Sequence, residues 1–237
     1  MNYDALINYI HSTPLTWLIL TLAAFKLGII IYEKFNKHTL LQPIIIAYVI
    51  LLSLIIYTNT SFEEYFKSVE IIHFFLGPAT VALALPLYKN LKYIKSLFLP
   101  IVLTLFIAGV FSIVIAVSLL WIFGAELPTI LSMTTKSITA PIAIITSEQI
   151  GAIPSLAVGF VLITGIIGAL FGTIVFKFIK IKHDTSKGFA LGLVSHGIGT
   201  ARAIEISEKA AAFSALAMGL SGIFTAVFLP MIITFFK

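Results

Sequence analysis

Residues 97 to 123 read LFLPIVLTLFIAGVFSIVIAVSLLWIF, a run without a single charged side chain. About 20 consecutive apolar residues suffice to carry a helix across a bilayer, so this run reads as a membrane span. Working outward from it, Lys89, Lys92 and Lys95 lie just before the span and Glu126 just after it. Similar apolar runs cover Pro14 to Tyr32, with Lys26 the only charge inside it, Gln42 to Thr58, Val69 to Tyr88, Leu156 to Phe178 and Ala211 to Phe236. Short polar breaks separate them.

Composition supports this reading of the whole chain. Of 237 residues 59% are hydrophobic and 11% charged, against roughly a quarter charged in ordinary globular domains. Zero cysteines exclude disulfides and thiolate metal sites. The net charge of +5 does not point to nucleic acid, because the lysines cluster between apolar runs, as they do in cytoplasmic loops of membrane proteins. The first apolar run lacks a preceding basic region and reads as a membrane helix, not a removed signal. The expected class is an all-α polytopic membrane protein of about six full transmembrane helices plus two re-entrant or broken-helix hairpins. Residues 1–60 are expected to form a scaffold and residues 61–237 a core with interrupted helices.

The bias of Lys and Arg among short loops sets orientation. Lys34 and Lys37, then Lys89, Lys92 and Lys95, then Lys177, Lys180, Lys182 and Lys187 are expected in the cytoplasm, which places the amino terminus outside and the chain in the cytoplasmic membrane. The chain is then outside near Glu126 and must be outside again before Leu156. LPTILSMTTKSITAPIAIITSEQIGAIP, residues 127 to 154, therefore reads as a re-entrant hairpin of two half-helices. Gly188 to Ala210 is expected to dip in likewise from the other side. A pair of broken helices that cross the membrane is the competing geometry. Gly77, Pro78 and Pro86 are expected to interrupt the third span, since proline removes an amide from the helix ladder.

SEQIGAIPSLAVGF at 147 to 160 and SEKAAAFSALAMGL at 207 to 220 share six of 14 positions at an interval of 60. A fainter copy begins at Thr80, with Gly109 opposite Gly168. Repeats that each carry an interrupted helix are a common transporter plan, with the site where the interruptions meet.

SHGIGTARAIE, residues 195 to 205, holds the only arginine of the chain, Arg202. Guanidinium matches a carboxylate with two parallel hydrogen bonds, so Arg202 meets an anion, pairs with Glu205 or Glu208, or sits at the cytoplasmic surface. Gly197 and Gly199 permit a bend, and a helix start at Thr200 would turn free amides toward an anion. Ser195 and His196 supply further donors, and a free imidazole is the side chain that changes charge near neutral pH. In KSITAPIA, residues 136 to 143, Lys136 lies within the first hairpin beside Ser137, Thr139 and the Pro141 break. Lys136 and Arg202 are expected to share one cationic pocket for a small carboxylate. His196, Glu148 and Glu205 are candidates for proton coupling, and Gly77, Pro78, Thr80 and Pro141 for gating. No second histidine lies at metal-ligand spacing, and no hydrolase motif is present. Neither a metal, a cofactor nor catalysis is expected.

LGPATVALALPLY, KSITAPIA, SEQIGAIPSLA, KGFALGLVSHGIGTARAIE and AAFSALAMGLSGI together resemble the LrgB/CidB family of antiholin-like membrane proteins, from Pro14 onward. GAIP stands where GGIP is usual and ARAIE where ARALE is usual. The family is similar to the carboxyl-terminal half of the plastidial glycolate/glycerate transporter. The resemblance implies a carrier of small monocarboxylates of the pyruvate, glycolate or glycerate class, paired with an LrgA/CidA-type membrane protein, and the polar-poor first two helices are expected to form a scaffold that pairs with another copy in a homo-oligomer. Its alternative implication is a regulator of murein hydrolase activity and lysis, with the polar residues serving packing.

Overall fold

Hydrocarbon offers no water to peptide groups, so a chain this apolar must satisfy its amides within helices. The computed structural model describes residues 14–36, 38 and 41–236, and among them there are helices and connections but no strand. Five helical stretches are long and apolar enough to cross a membrane: Leu15–Lys34, Glu70–Lys89, Phe98–Ile122, Pro154–Phe178 and Glu208–Phe235. Pro43–Thr58 is a shorter apolar helix. These six correspond to the six expected spans. Two compact units divide between Ala82 and Leu83, whereas the sequence reading put the boundary after residue 60.

The first unit contains α1 (Pro14–Lys34), α2 (Pro43–Thr58), α3 (Phe62–Ser68) and α4 (Glu70–Ala82). Helix α1 packs on α2 and α3. Gly28 makes the first contact possible, since a Cβ there would lie 2.6 Å from the Pro43 carbonyl oxygen. Trp17 and Tyr65 meet edge to face at 5.5 Å, a favoured arrangement of ring quadrupoles. Ser61 caps α3 by accepting the Glu64 amide at 3.1 Å.

Helix α4 corrects one expectation. It runs unbroken through Gly77 and Pro78, and the interruption falls at Leu83. Proline disfavours helical backbone in the preceding residue partly through that residue's Cβ. Gly77 has none. Gly77 and Pro78 are exposed, and the side chain of Thr80 lies outside the described residues.

The second unit comprises α5 (Ala84–Lys89), α6 (Leu91–Ser96), α7 (Phe98–Ile122), α8 (Leu127–Met133), α9 (Ala140–Ile150), α10 (Pro154–Phe178), α11 (Asp184–Ile206) and α12 (Glu208–Phe236). At 25 residues, α10 is about 37 Å long, enough to cross the hydrocarbon core. Its outer side carries exposed Ile163, Ile167, Phe171 and Val175, as a lipid-facing helix does.

Helix α11 is two half-helices joined at His196, whose φ of 40° and ψ of −124° break the ladder. The packing shows which way the chain goes. A Cβ on Gly188 would fall 2.1 Å from the Ala210 carbonyl oxygen, and one on Gly192 2.0 Å from that of Ser214. The two contacts advance together along the sequence, so residues 184–195 run parallel to the start of α12. With only the short second half between them, the chain must turn back at His196. A Cβ on Gly199 would sit 2.3 Å from the Leu191 carbonyl oxygen, which presses the returning half against the inward one. This segment is re-entrant, and the competing crossing geometry is excluded for it.

The first hairpin is α8, a tip at residues 134–139, and α9. Ser132, fully buried near the end of α8, accepts the Ile153 amide at 2.9 Å and sends its own proton to the Pro128 carbonyl at 2.7 Å. The chain beyond α9 is thereby tied back to α8, which makes this segment re-entrant as well. Gly151, at φ 78°, terminates α9 and lets the chain reverse into α10. The hairpins thus approach α10 from its two opposite ends.

Burial repeats at the interval found in the sequence. Thr135 and Ser195, Ala143 and Ala203, Ile150 and Ala210, and Ala157 and Ala217 are buried pairs 60 positions apart. Lys136 and His196 then occupy equivalent places at the two tips.

The basic clusters of this unit lie at one end. Lys89 pairs with Glu208 at 3.1 Å, and the Lys209 ammonium sits 4.2 Å from the centre of the Tyr93 ring. These contacts bring the loop around Lys92 to the junction of α11 and α12. Lys187 beside Asp184, followed by the Ser207 hydroxyl, holds the Asp184 carboxyl below the usual carboxylate range.

Candidate functional site: two hairpin tips on one helix

Both tips rest on the same stretch of α10. His196 Nε2 carries the ring proton, because its partner is a carbonyl, and donates to Val161 O at 3.0 Å. Ile138 and Ala143 of the first hairpin form a buried cluster with Val161. Val161 and Gly165 stand about 10 and 16 Å along α10 from Pro154, in its middle region. Gly165 leaves room for the imidazole, since a Cβ there would lie 2.8 Å from His196 Cε1. Gly168 does the same for Ser195, whose buried Oγ has no hydrogen-bond partner.

The glycines of the second hairpin act differently from expectation. Neither marks the break, which falls on His196. Gly199 serves close approach to Leu191, and a Cβ on Gly197 would meet nothing. The second half-helix begins before Thr200. Its hydroxyl donates to the His196 carbonyl at 2.9 Å and lies 3.0 Å from Ser214 Oγ, so Thr200 holds the tip to α12 instead of opening a helix toward an anion.

Lys136 sits at the first tip, half-buried, and its ammonium donates to Ser112 Oγ of α7 at 2.6 Å and to Ser137 Oγ at 3.0 Å. Ser112 and Ser137, with Thr134, Ser221 and Thr225, line a cavity of about 60 Å³. That volume accommodates a few ordered waters. Thr139 is the residue before α9, and Pro141 fits that helix's first turn, where a missing amide costs no helix bond.

Arg202 lies elsewhere. It is six residues beyond the His196 tip, about 9 Å back toward the basic end, and its guanidinium pairs with Glu205 one turn later. Neither Lys136 nor Arg202 lines either of the two cavities described among these residues. Lys136 thus stands at one tip, while Arg202 stands on the returning half of the other hairpin beside Glu205. Glu205 is exposed beside Arg202, and Glu148 is exposed on the last turn of α9.

Sequence reasoning missed Ser112, Ser132 and Val161. The glycine series Gly165, Gly168 and Gly172 on α10 was a legible signal, since small residues mark helix faces that others approach closely.

The LrgB-like family model matches residues 21–235. The chain belongs to the LrgB family. It is 31% identical over 223 residues to the antiholin-like protein LrgB of Bacillus mycoides (strain KBAB4), covering 94% of this chain and 97% of that protein. Antiholin-like proteins LrgB of Bacillus cereus (strain B4264) and Bacillus anthracis (strain CDC 684 / NRRL 3495) are each 30% identical over the same shares. No solved structure matches. These relatives bear the name of antiholin-like proteins, which overturns the main expectation of a monocarboxylate carrier and favours its alternative.

Proposed function

We propose that this LrgB family member is an antiholin-like regulator of murein hydrolase activity and cell lysis, acting in the cytoplasmic membrane together with an LrgA/CidA-type membrane protein. The observation that carries this reading is the likeness to antiholin-like proteins over 94% of the chain. The geometry agrees with it, because several of the polar side chains singled out for a ligand already have partners in the protein, Ser195 Oγ being a buried exception. Lys136 is held by Ser112 and Ser137, His196 by Val161, Thr200 by Ser214 and Arg202 by Glu205. Their role in this reading is to pin two hairpins that hydrocarbon alone could not hold.

The basic end faces the cytoplasm by the bias of lysine among the loops, with the amino terminus outside. The test is genetic and biochemical. In a bacterium stripped of its own LrgB-type gene, autolysis in buffer and hydrolase activity on murein gels are expected to rise, and expression of this chain with the LrgA/CidA-type partner to restore both. Unchanged autolysis and hydrolase activity in the deleted strain, or no restoration by a chain shown to reach the membrane, rejects the proposal.

A further inference from the structure

A groove of about 650 Å³ opens along the second unit between α7 and the inward half of α11. On α7 it runs from Leu97 to Ala108, and on α11 from Thr185 to Val194. These stretches are about 16 and 14 Å long. One leaflet of a bilayer has a hydrocarbon depth of about 15 Å, so the groove has the length of a leaflet. It begins at the basic end of the unit and ends at mid-depth, where Ala108, Leu193 and Val194 also line the small hydroxyl-bordered cavity. Its floor is apolar, with Phe189 and Phe213 buried beneath it.

We propose that this groove holds one anionic phospholipid drawn from the leaflet at the basic end, acyl chain inward and headgroup against Lys209 and His183. Charge complementarity selects that occupant. Lys209 and His183 line the groove at that end, the Tyr93 ring holds the Lys209 ammonium, and Lys92 and Lys95 lie on the same end, Lys89 there being paired with Glu208. Basic pockets between transmembrane helices are suited to anionic headgroups, and each lysine adds to the attraction near the surface. A transmembrane helix, from a second copy or another protein, spans about 30 Å of hydrocarbon, twice the length of this groove. The inference depends on the membrane fold alone and stands apart from the antiholin reading.

The test uses the full chain in detergent, stripped of lipid and offered equal amounts of phosphatidylglycerol and phosphatidylcholine, with retained lipid read by native mass spectrometry. One phosphatidylglycerol per chain is expected, preferred about fivefold over phosphatidylcholine. Lys209→Gln is expected to lose about that factor, the share of one lysine at an anionic surface. Thr104→Phe, on an exposed position of α7 that borders the groove, is expected to abolish retention of both lipids. Because the chain has no native cysteine, a fluorophore on Thr104→Cys gives a second measurement, with brominated phosphatidylglycerol expected to quench it more than brominated phosphatidylcholine. Equal retention and equal quenching by the two lipids overturns the proposal. So does a Thr104→Phe chain that keeps phosphatidylglycerol as wild type does, or a dimer that shields the Thr104 label from both lipids.

Discussion

His196 carries a backbone conformation that an L side chain rarely adopts, and one hydrogen bond compensates for it. Strain of this kind is about 1–3 kcal/mol, while a typical intramolecular hydrogen bond contributes about 1 kcal/mol. His196→Ala keeps the strain and loses the bond to Val161, whereas His196→Gly loses both. Thermal unfolding in detergent should therefore rank wild type and His196→Gly close together, with His196→Ala lower by about 1–3 kcal/mol. Equal melting of the two variants would show that the backbone relaxes without help. Ser132 is the corresponding tie in the first hairpin. Ser132→Ala leaves the Ile153 amide without its acceptor, at a cost of about 1–3 kcal/mol for a buried donor, and unchanged melting would remove Ser132 from the account. What the sequence made legible at this scale was residue type, not partner. Lys136 was visible as a charge that needed company, but Ser112 lies 24 positions away in an apolar span whose facing side no periodicity revealed.

At the scale of elements, both hairpins were legible because parity among the lysine-bearing loops made each segment return to its own side, and their polar text was unlike the spans around it; parity alone left a crossing pair as the rival. The site of the second break was not. Glycine is permissive, so Gly197 and Gly199 drew the expectation, yet Gly199 is consumed by close packing and the turn falls one residue before Gly197. Gly77 and Pro78 show the same limit in reverse, since a proline preceded by glycine stays within its helix. Packing of α11 on α12 depends on Gly192, where any Cβ would meet the Ser214 carbonyl. Gly192→Ala should destabilise by about 1–3 kcal/mol, as overpacking does. Gly219→Ala, in the interior of α12 with open space around it, should be neutral or stabilising by up to about 1 kcal/mol. If both melt alike, backbone contact between the helices is not what holds them.

For the whole molecule, the absence of native cysteine allows single-cysteine labelling of intact cells. Ala125→Cys and Ala152→Cys, at the two feet of the first hairpin, should react with an impermeant maleimide from outside. Lys180→Cys and Ser186→Cys, at the basic end, should react only after the membrane is opened. Labelling of Ala125→Cys and Ala152→Cys from different sides would mean that residues 127 to 154 cross the membrane, against the tie from Ser132 to Ile153.

The shared seat of the two hairpins on α10 constrains how the chain is made. Residues 127–150 are synthesised before Val161, and the His196 tip is synthesised before α12, which flanks it. The first hairpin therefore has no seat at the moment it is synthesised, whereas the second finds α10 already made and lacks only its flank on α12. The first must take its place after α10 is made, and the second completes its packing only once α12 stands beside it.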